Sequence, residues 1–167
     1  MWFGRRQPAT SAYEPEGGFT LIELMVVILI LAILVAIGLA SLLGARTRAQ
    51  DAAARSHARQ ALGTAKTIFQ VDENYLAATI TALSDAEPAL RFVASTQEST
   101  GPDVASVGAL DAQRIVIAVY SRTGSCNYIK DEAVGSAGGT RYAAVEETSA
   151  DCTADSPPDD AEFGSKW

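Results

Sequence analysis

Three hydropathy patterns follow one another along the chain. From Leu24 to Ala45 no charged residue occurs over 22 positions, and Leu, Ile, Val and Ala fill nearly all of them. As a helix this run spans about 33 Å, enough to cross the hydrocarbon of a bilayer. The apolar core of a secretory signal is shorter, about 7–15 residues, so the run is expected to stay in the protein. The second pattern has helical period. No proline lies between Pro15 and Pro88, and Arg46 to Phe69 is rich in Ala, Gln, Arg and Leu, all good helix formers. Leu62, Ala65, Phe69 and Leu76 recur at spacings of three, four and seven, an apolar stripe with Arg55, Arg59 and Lys66 largely off it. One helix from Phe19 to about Tyr75 is predicted, roughly 85 Å long.

The third pattern has period two. Leu90–Ala94, Arg114–Ser121, Cys126–Asp131 and Thr140–Glu147 read as short strands rich in Val, Ile, Tyr and Phe. Thr123-Gly124 and Gly138-Gly139 fall between strands, where hairpin turns use glycine. The tail from Ala154, with Pro157-Pro158 and Asp159-Asp160, looks irregular. The predicted fold class is therefore α+β: a long N-terminal helix, membrane-spanning in its first half, packed on an antiparallel sheet of three or four strands. Residues 1–18, with Arg5, Arg6, Pro8, Pro15 and Gly17-Gly18, lack periodicity and read as a leader. Residues 19–45 form the apolar half of the helix, and 46–167 an extracytoplasmic globular domain.

Composition changes this picture in two places. The net charge is −7, without the basic footprint that nucleic-acid binding requires. The acids cluster between Asp131 and Glu162 and read as a solvated surface. Cys126 and Cys152 stand in the polar part of the chain, consistent with one disulfide in an exported domain or with two buried thiols.

The string Gly17-Gly18-Phe19-Thr20-Leu21-Ile22-Glu23-Leu24, running straight into the apolar segment, resembles the processing site of type IV prepilins and pseudopilins. The resemblance implies cleavage after Gly18 by a membrane-embedded prepilin peptidase and N-methylation of Phe19. It implies a chain that polymerises with copies of itself and with minor pilins, using an inner-membrane platform protein and an assembly ATPase. It also implies a C-terminal disulfide, here Cys126 to Cys152, and a subunit held in the cytoplasmic membrane before assembly and on the cell surface afterwards. Glu23 is the only charged residue from Phe19 to Ala45, and an ionisable group in lipid costs a few kcal/mol unless paired. The resemblance supplies its partner, the Phe19 amine of the same or a neighbouring subunit, and such a pairing would fix the register of one subunit on the next.

Two features depart from that family. Ala40 stands about where a proline is common, leaving Gly38 and Gly44 as the weak points of the helix. Arg46, Arg48, Arg55 and Arg59 follow the apolar run while Arg5 and Arg6 precede it, so the positive-inside rule alone favours the opposite orientation. The peptidase site and the cysteine pair place the leader in the cytoplasm, and the arginines are then expected to make charge contacts between packed helices.

No G-x-S-x-G, H-E-x-x-H, C-x-x-C or P-loop occurs, so no enzyme and no cofactor is predicted. His57 stands on the helix without a second ligand, in a solvent-facing or inter-subunit role. Asp151, Asp155, Asp159 and Asp160 offer oxygens to calcium, as the C-terminal region does in secretion pseudopilins, but at no EF-hand spacing, and no metal site is predicted. A type IV pilus subunit is the leading reading. The alternatives are the major pseudopilin of a type II secretion system, which more often lacks the cysteine pair, and a membrane-anchored binding protein that never polymerises.

Overall fold

The computed structural model of the chain describes residues 18–135 and 138–167, so the expected leader, apart from Gly18, lies outside the described residues. The chain divides into two compact units, one ending at Ser41 and one comprising Leu42–Trp167. Helix α1 (Leu21–Asp72) contributes residues to both. In the second unit its buried side chains are Ala54, Ala58, Ala61, Leu62 and Ala65. Four of these five are alanines on one helical face, which lets the helix backbone lie close against what it packs on.

The apolar stripe departs from expectation at its end. Leu62 and Ala65 are buried and Phe69 half-buried, but Leu76 is exposed. The cause is local: Glu73 adopts the left-handed conformation at φ 51°, while its N–H still donates to the Phe69 carbonyl at 2.7 Å. That turns the chain off the helix axis at Asp72 instead of Tyr75. Asn74 then caps a 3-10 turn, Tyr75–Ala77, which carries Tyr75 into the core, its ring 4.5 Å from that of Phe69. A short helix α2 (Ile80–Ala86), capped by Thr79 and burying Leu83, follows where no element was predicted.

The sheet has five strands in chain order: β1 (Arg91–Ala94), β2 (Val104–Ala109), β3 (Arg114–Ser121), β4 (Ser125–Glu132) and β5 (Gly139–Glu146). Pairing is antiparallel except between β1 and β2, which are parallel, so the sheet is mixed rather than wholly antiparallel. The unpredicted strand is β2. Its Ala105, Ser106, Gly108 and Ala109 are poor strand formers, and at Gly108 close packing excludes a larger residue. A Cβ at Gly108 would lie 2.8 Å from the Ser95 Cβ. At the β3–β4 turn Gly124 takes φ +99° and donates its N–H to the Ser121 carbonyl at 3.0 Å.

Strand β3 is buried on both faces, which explains its unbroken apolar run. Ile115, Ile117 and Val119 join Ile129, Tyr75, Leu83 and the alanines of α1. Val116 and Ala118 face the other way, with Cys126, Tyr128, Ala143, Cys152, Ala154 and Phe163. That outer cluster is covered by the tail. Cys126 and Cys152 form a disulfide with Cα atoms 5.5 Å apart, Gly164 and Tyr142 exchange two backbone bonds of 2.8 Å, and the Lys130 ammonium meets Asp160 at 2.6 Å. The tail is irregular yet integral to the core.

Most of the acidic stretch is exposed as expected, but Asp131 departs from it, and so do Arg55 and Arg59 on the helix. Asp131 is 2% exposed and sits between α1, the Tyr75 turn and β5. Its carboxylate takes Lys66 at 2.8 Å and the hydroxyls of Thr140 and Tyr75 at 2.5 Å each. Arg55 donates to the Asn127 side chain at 3.2 Å and lies 5.6 Å from the Trp167 ring, and Arg59 lies 5.8 Å from that of Tyr142. His57 Nδ1 donates to the Pro102 carbonyl at 2.7 Å. Lys66, Arg55, Arg59 and His57 therefore hold α1 to its own sheet.

Burial pushes the Asp131 carboxyl upward, but the bonds from Lys66, Thr140 and Tyr75 outweigh it and hold the carboxyl below the ordinary carboxylate range. Its folded-state pKa thus lies under the unfolded value of about 3.9. The resulting stability is full above that value and is lost as pH falls through the folded one. Asp131→Asn is expected to lower stability near pH 7 by about 1–3 kcal/mol. The gap to wild type should close as pH falls below about 4. Thermal melts across pH check this, and a gap that stays constant down to pH 2 would show that the charge of Asp131 contributes nothing.

Candidate functional site

The N-terminal unit holds the expected processing junction and the apolar segment. Gly18, Phe19 and Thr20 precede α1, and Thr20 caps it. Its hydroxyl oxygen accepts the Glu23 N–H at 3.2 Å, and its carbonyl accepts the Leu24 N–H at 3.2 Å. Thr20 and Glu23 thus hold the N-cap and N3 positions of a Thr-x-x-Glu capping box. The residue spacing alone could have identified Thr20, a role the hydropathy pattern does not reveal. No return bond from the Glu23 carboxylate is present among the described residues. The carboxylate stands exposed in the first turn, where the helix dipole favours negative charge.

Gly18 has open space around it, with nothing within 4 Å of where a Cβ would stand. Nothing in the described fold therefore requires glycine at this position. Phe19 is 84% exposed. Beyond it, every large apolar side chain up to Leu43 is exposed, and the least so, Val27, still shows 46% of its surface. A helix that is apolar on all sides belongs in a core or in lipid. The most apolar 18-residue window of α1 has a mean hydropathy of 3.2 and is 0% buried by its own chain.

The other candidate residues separate. Cys126 and Cys152 are joined in the outer cluster of the globular unit. Of the four acidic residues considered for calcium, two have partners of their own: Asp160 pairs with Lys130, and Asp151 accepts the Thr148 hydroxyl at 2.7 Å. Among the described residues, a trio with ligand-like spacing is Cys126, Glu147 and Cys152. Its sulfurs are bonded to each other, and the Glu147 carboxylate accepts the Tyr128 hydroxyl at 2.6 Å. Burial raises the Glu147 carboxyl above its usual range, and the nearby charges of Asp151 and Glu162 push it further, although the Tyr128 bond opposes this.

Asp51 is a further residue that periodicity did not single out. Its Oδ1 accepts the hydroxyls of both Ser121 and Thr123, tying α1 to the β3–β4 turn. Burial pushes its carboxyl up, but these two bonds and the nearby Arg55 charge bring it below the ordinary value.

The family model for the prokaryotic N-terminal methylation motif matches residues 15–39, the junction and most of the exposed helix. No curated protein and no solved structure matches the chain. The match falls on the segment that its own fold leaves uncovered, and the globular unit adds a helix packed on a sheet closed by a disulfide. The chain is a protein with the prepilin-type N-terminal methylation motif of type IV pilins and pseudopilins, carried on a type IV pilin-like α+β fold.

Proposed function

We propose that the chain is the structural subunit of a filament, assembled by packing the apolar half of α1 against the same segment of other copies. The observation that carries this reading is a helix apolar on every side and uncovered by its own chain, directly behind a methylation motif. The prepilin peptidase removes the leader after Gly18, whose glycine the described fold does not need, and methylates the Phe19 amine. The subunit waits in the cytoplasmic membrane as a single-pass protein with its leader inside. Platform protein, assembly ATPase and minor pilins act on it from there, and the finished filament stands at the cell surface.

Glu23 sets register. Leu, Ile and Val contacts between parallel helices are nearly interchangeable from one register to the next. A carboxylate and an amine are not, because any other register leaves both unpaired in a low-dielectric core. The first turn already supplies the Thr20 hydroxyl to the backbone, so the Glu23 carboxylate is free for the Phe19 amine of a neighbouring copy. A type IV pilus is favoured over a type II secretion pseudopilus by the Cys126–Cys152 bond, which closes the C-terminal part as pilins commonly do. A membrane-anchored binding protein that never polymerises would need neither Gly18 nor Glu23.

Two outcomes test this. Intact-mass analysis of the membrane-extracted protein should give a chain beginning at Phe19 and carrying one methyl group, and a chain retaining Met1–Gly18 in wild-type cells would refute the processing. Glu23→Gln and Glu23→Ala should be cleaved normally yet yield few or no filaments in the sheared fraction. Filaments at wild-type yield from both variants would mean that register is set elsewhere.

A further inference from the structure

Single apolar side chains on a surface are ordinary, but apolar side chains gathered in one place mark a contact. Among the described residues of the globular unit, six large apolar side chains are exposed: Leu42, Leu43, Val71, Leu76, Leu110 and Val134. They fall in two places. Leu42 and Leu43 begin the part of α1 that belongs to this unit, and the other four come together where α1 stops. Val71 is in the last turn of α1, and Leu76 is in the 3-10 turn behind it. Three bonds tie the segments carrying Leu110 and Val134 to that same end. The Tyr75 N–H donates to the Ala112 carbonyl at 2.9 Å, Gln113 Nε2 to the Glu73 carbonyl at 3.2 Å, and the Ala133 N–H to the Gln113 carbonyl at 2.9 Å. An open cleft of 360 Å³, lined by Phe69, Tyr75, Glu132 and Ala133 among others, gives this end a concave surface.

The two places carry opposite charge. Asp72 and Glu73 are exposed where α1 stops, Glu132 lines the cleft there, and none of the three is in an ion pair among the described residues. No basic residue occupies the last turn of α1, so the partial negative charge of its carbonyl end is uncompensated. At the other place Arg46 and Arg48 are exposed and in no ion pair among the described residues. Arg46 follows Leu43 by three positions and Leu42 by four, so the three share one helical face. Arg48 lies about 200° around the helix from Arg46 and belongs to another face.

Leu43 and Val71 stand about 42 Å apart on one continuous helix, so a copy cannot join its own two patches. The acidic end repels an anionic lipid surface, whereas a second copy offers its complement, two leucines and an unpaired arginine. We propose that the Leu42–Leu43–Arg46 face of one copy docks on the acidic apolar end of another, with Arg46 directed at Asp72 and Glu73. The two patches differ, so the contact is head-to-tail, and each copy keeps one patch free for the next. The proposal rests on the filament reading above for its setting, and every group that it uses lies within the globular unit.

Cross-linking in the full-length protein, expressed with its assembly machinery, tests the contact. The native cysteines are already paired, so new ones are left to meet each other. Leu43→Cys combined with Leu76→Cys should give an inter-copy disulfide ladder in the sheared fraction, and neither single variant should. A dimer from Leu76→Cys alone would mean that like ends meet, which overturns the head-to-tail contact. Arg46→Glu should cut sheared-filament yield about tenfold with processed subunit unchanged in the membrane. Adding Asp72→Arg and Glu73→Arg should restore most of the yield, and loss without that rescue would count against the contact. Wild-type yield from Arg46→Glu, with no ladder from the double cysteine variant, would overturn the contact and leave the packing of apolar helices standing. A wild-type chain that forms no filaments at all takes both readings down.

Discussion

A long apolar surface that its own chain cannot cover is the constraint on which this molecule depends. Burying apolar surface is worth roughly 25 cal/mol per Å², so a helix whose large apolar side chains are all exposed from Leu21 to Leu43 is unfavourable in water. Lipid can cover it, and so can the same segment of other copies. In the second case the chain gains a choice of register, and apolar contacts alone choose poorly. The few polar groups along α1 acquire their weight from that ambiguity. Glu23 lies at the helix start with its backbone N–H already bonded to Thr20, and Arg46 lies just past the apolar run without a partner among the described residues.

The same helix solves a different problem in the globular unit. There a stripe of alanines replaces the bulky aliphatics, allowing close approach to the sheet. Polar ties then fix the helix where small side chains give little grip: Asp51 to the β3–β4 turn, Arg55 to Asn127, His57 to Pro102 and Lys66 to Asp131. The sheet in turn is sealed on its outer face by the tail, through the disulfide, the Lys130–Asp160 pair and Phe163. A small domain with a thin core gains from such cross-links, because its apolar burial alone is marginal.

Much of this was legible in the sequence where one physical effect dominates. The uncharged run reads as a long apolar helix and Arg114–Ser121 as a strand, although the burial of that strand on both faces was not expected. What escaped was set by contacts distant in sequence. In strand β2, Gly108 packs so closely on Ser95 that a side chain there would clash, a constraint that strand propensity does not reveal. The end of α1 is decided by one left-handed residue, Glu73, which exchanges Leu76 for Tyr75 in the core. Asp131 looked like one acid in a solvated cluster because its partners, Lys66 and Tyr75, lie more than fifty residues away. The Thr20 cap, by contrast, is written in the Thr-x-x-Glu spacing itself. On the proposed reading an enzyme, and not the fold, recognises the junction at Gly18, so the sequence string says more about it than the packing does.

The central claim is that other copies of the chain, and not lipid alone, cover the exposed half of α1. A photo-reactive residue placed at Leu31, in the middle of the apolar run, tests it most directly. Irradiated in the sheared fraction, it should yield adducts between copies whose linked peptides both map to residues 19–45. Adducts to lipid only, with no copy-to-copy product in that fraction, would contradict the account.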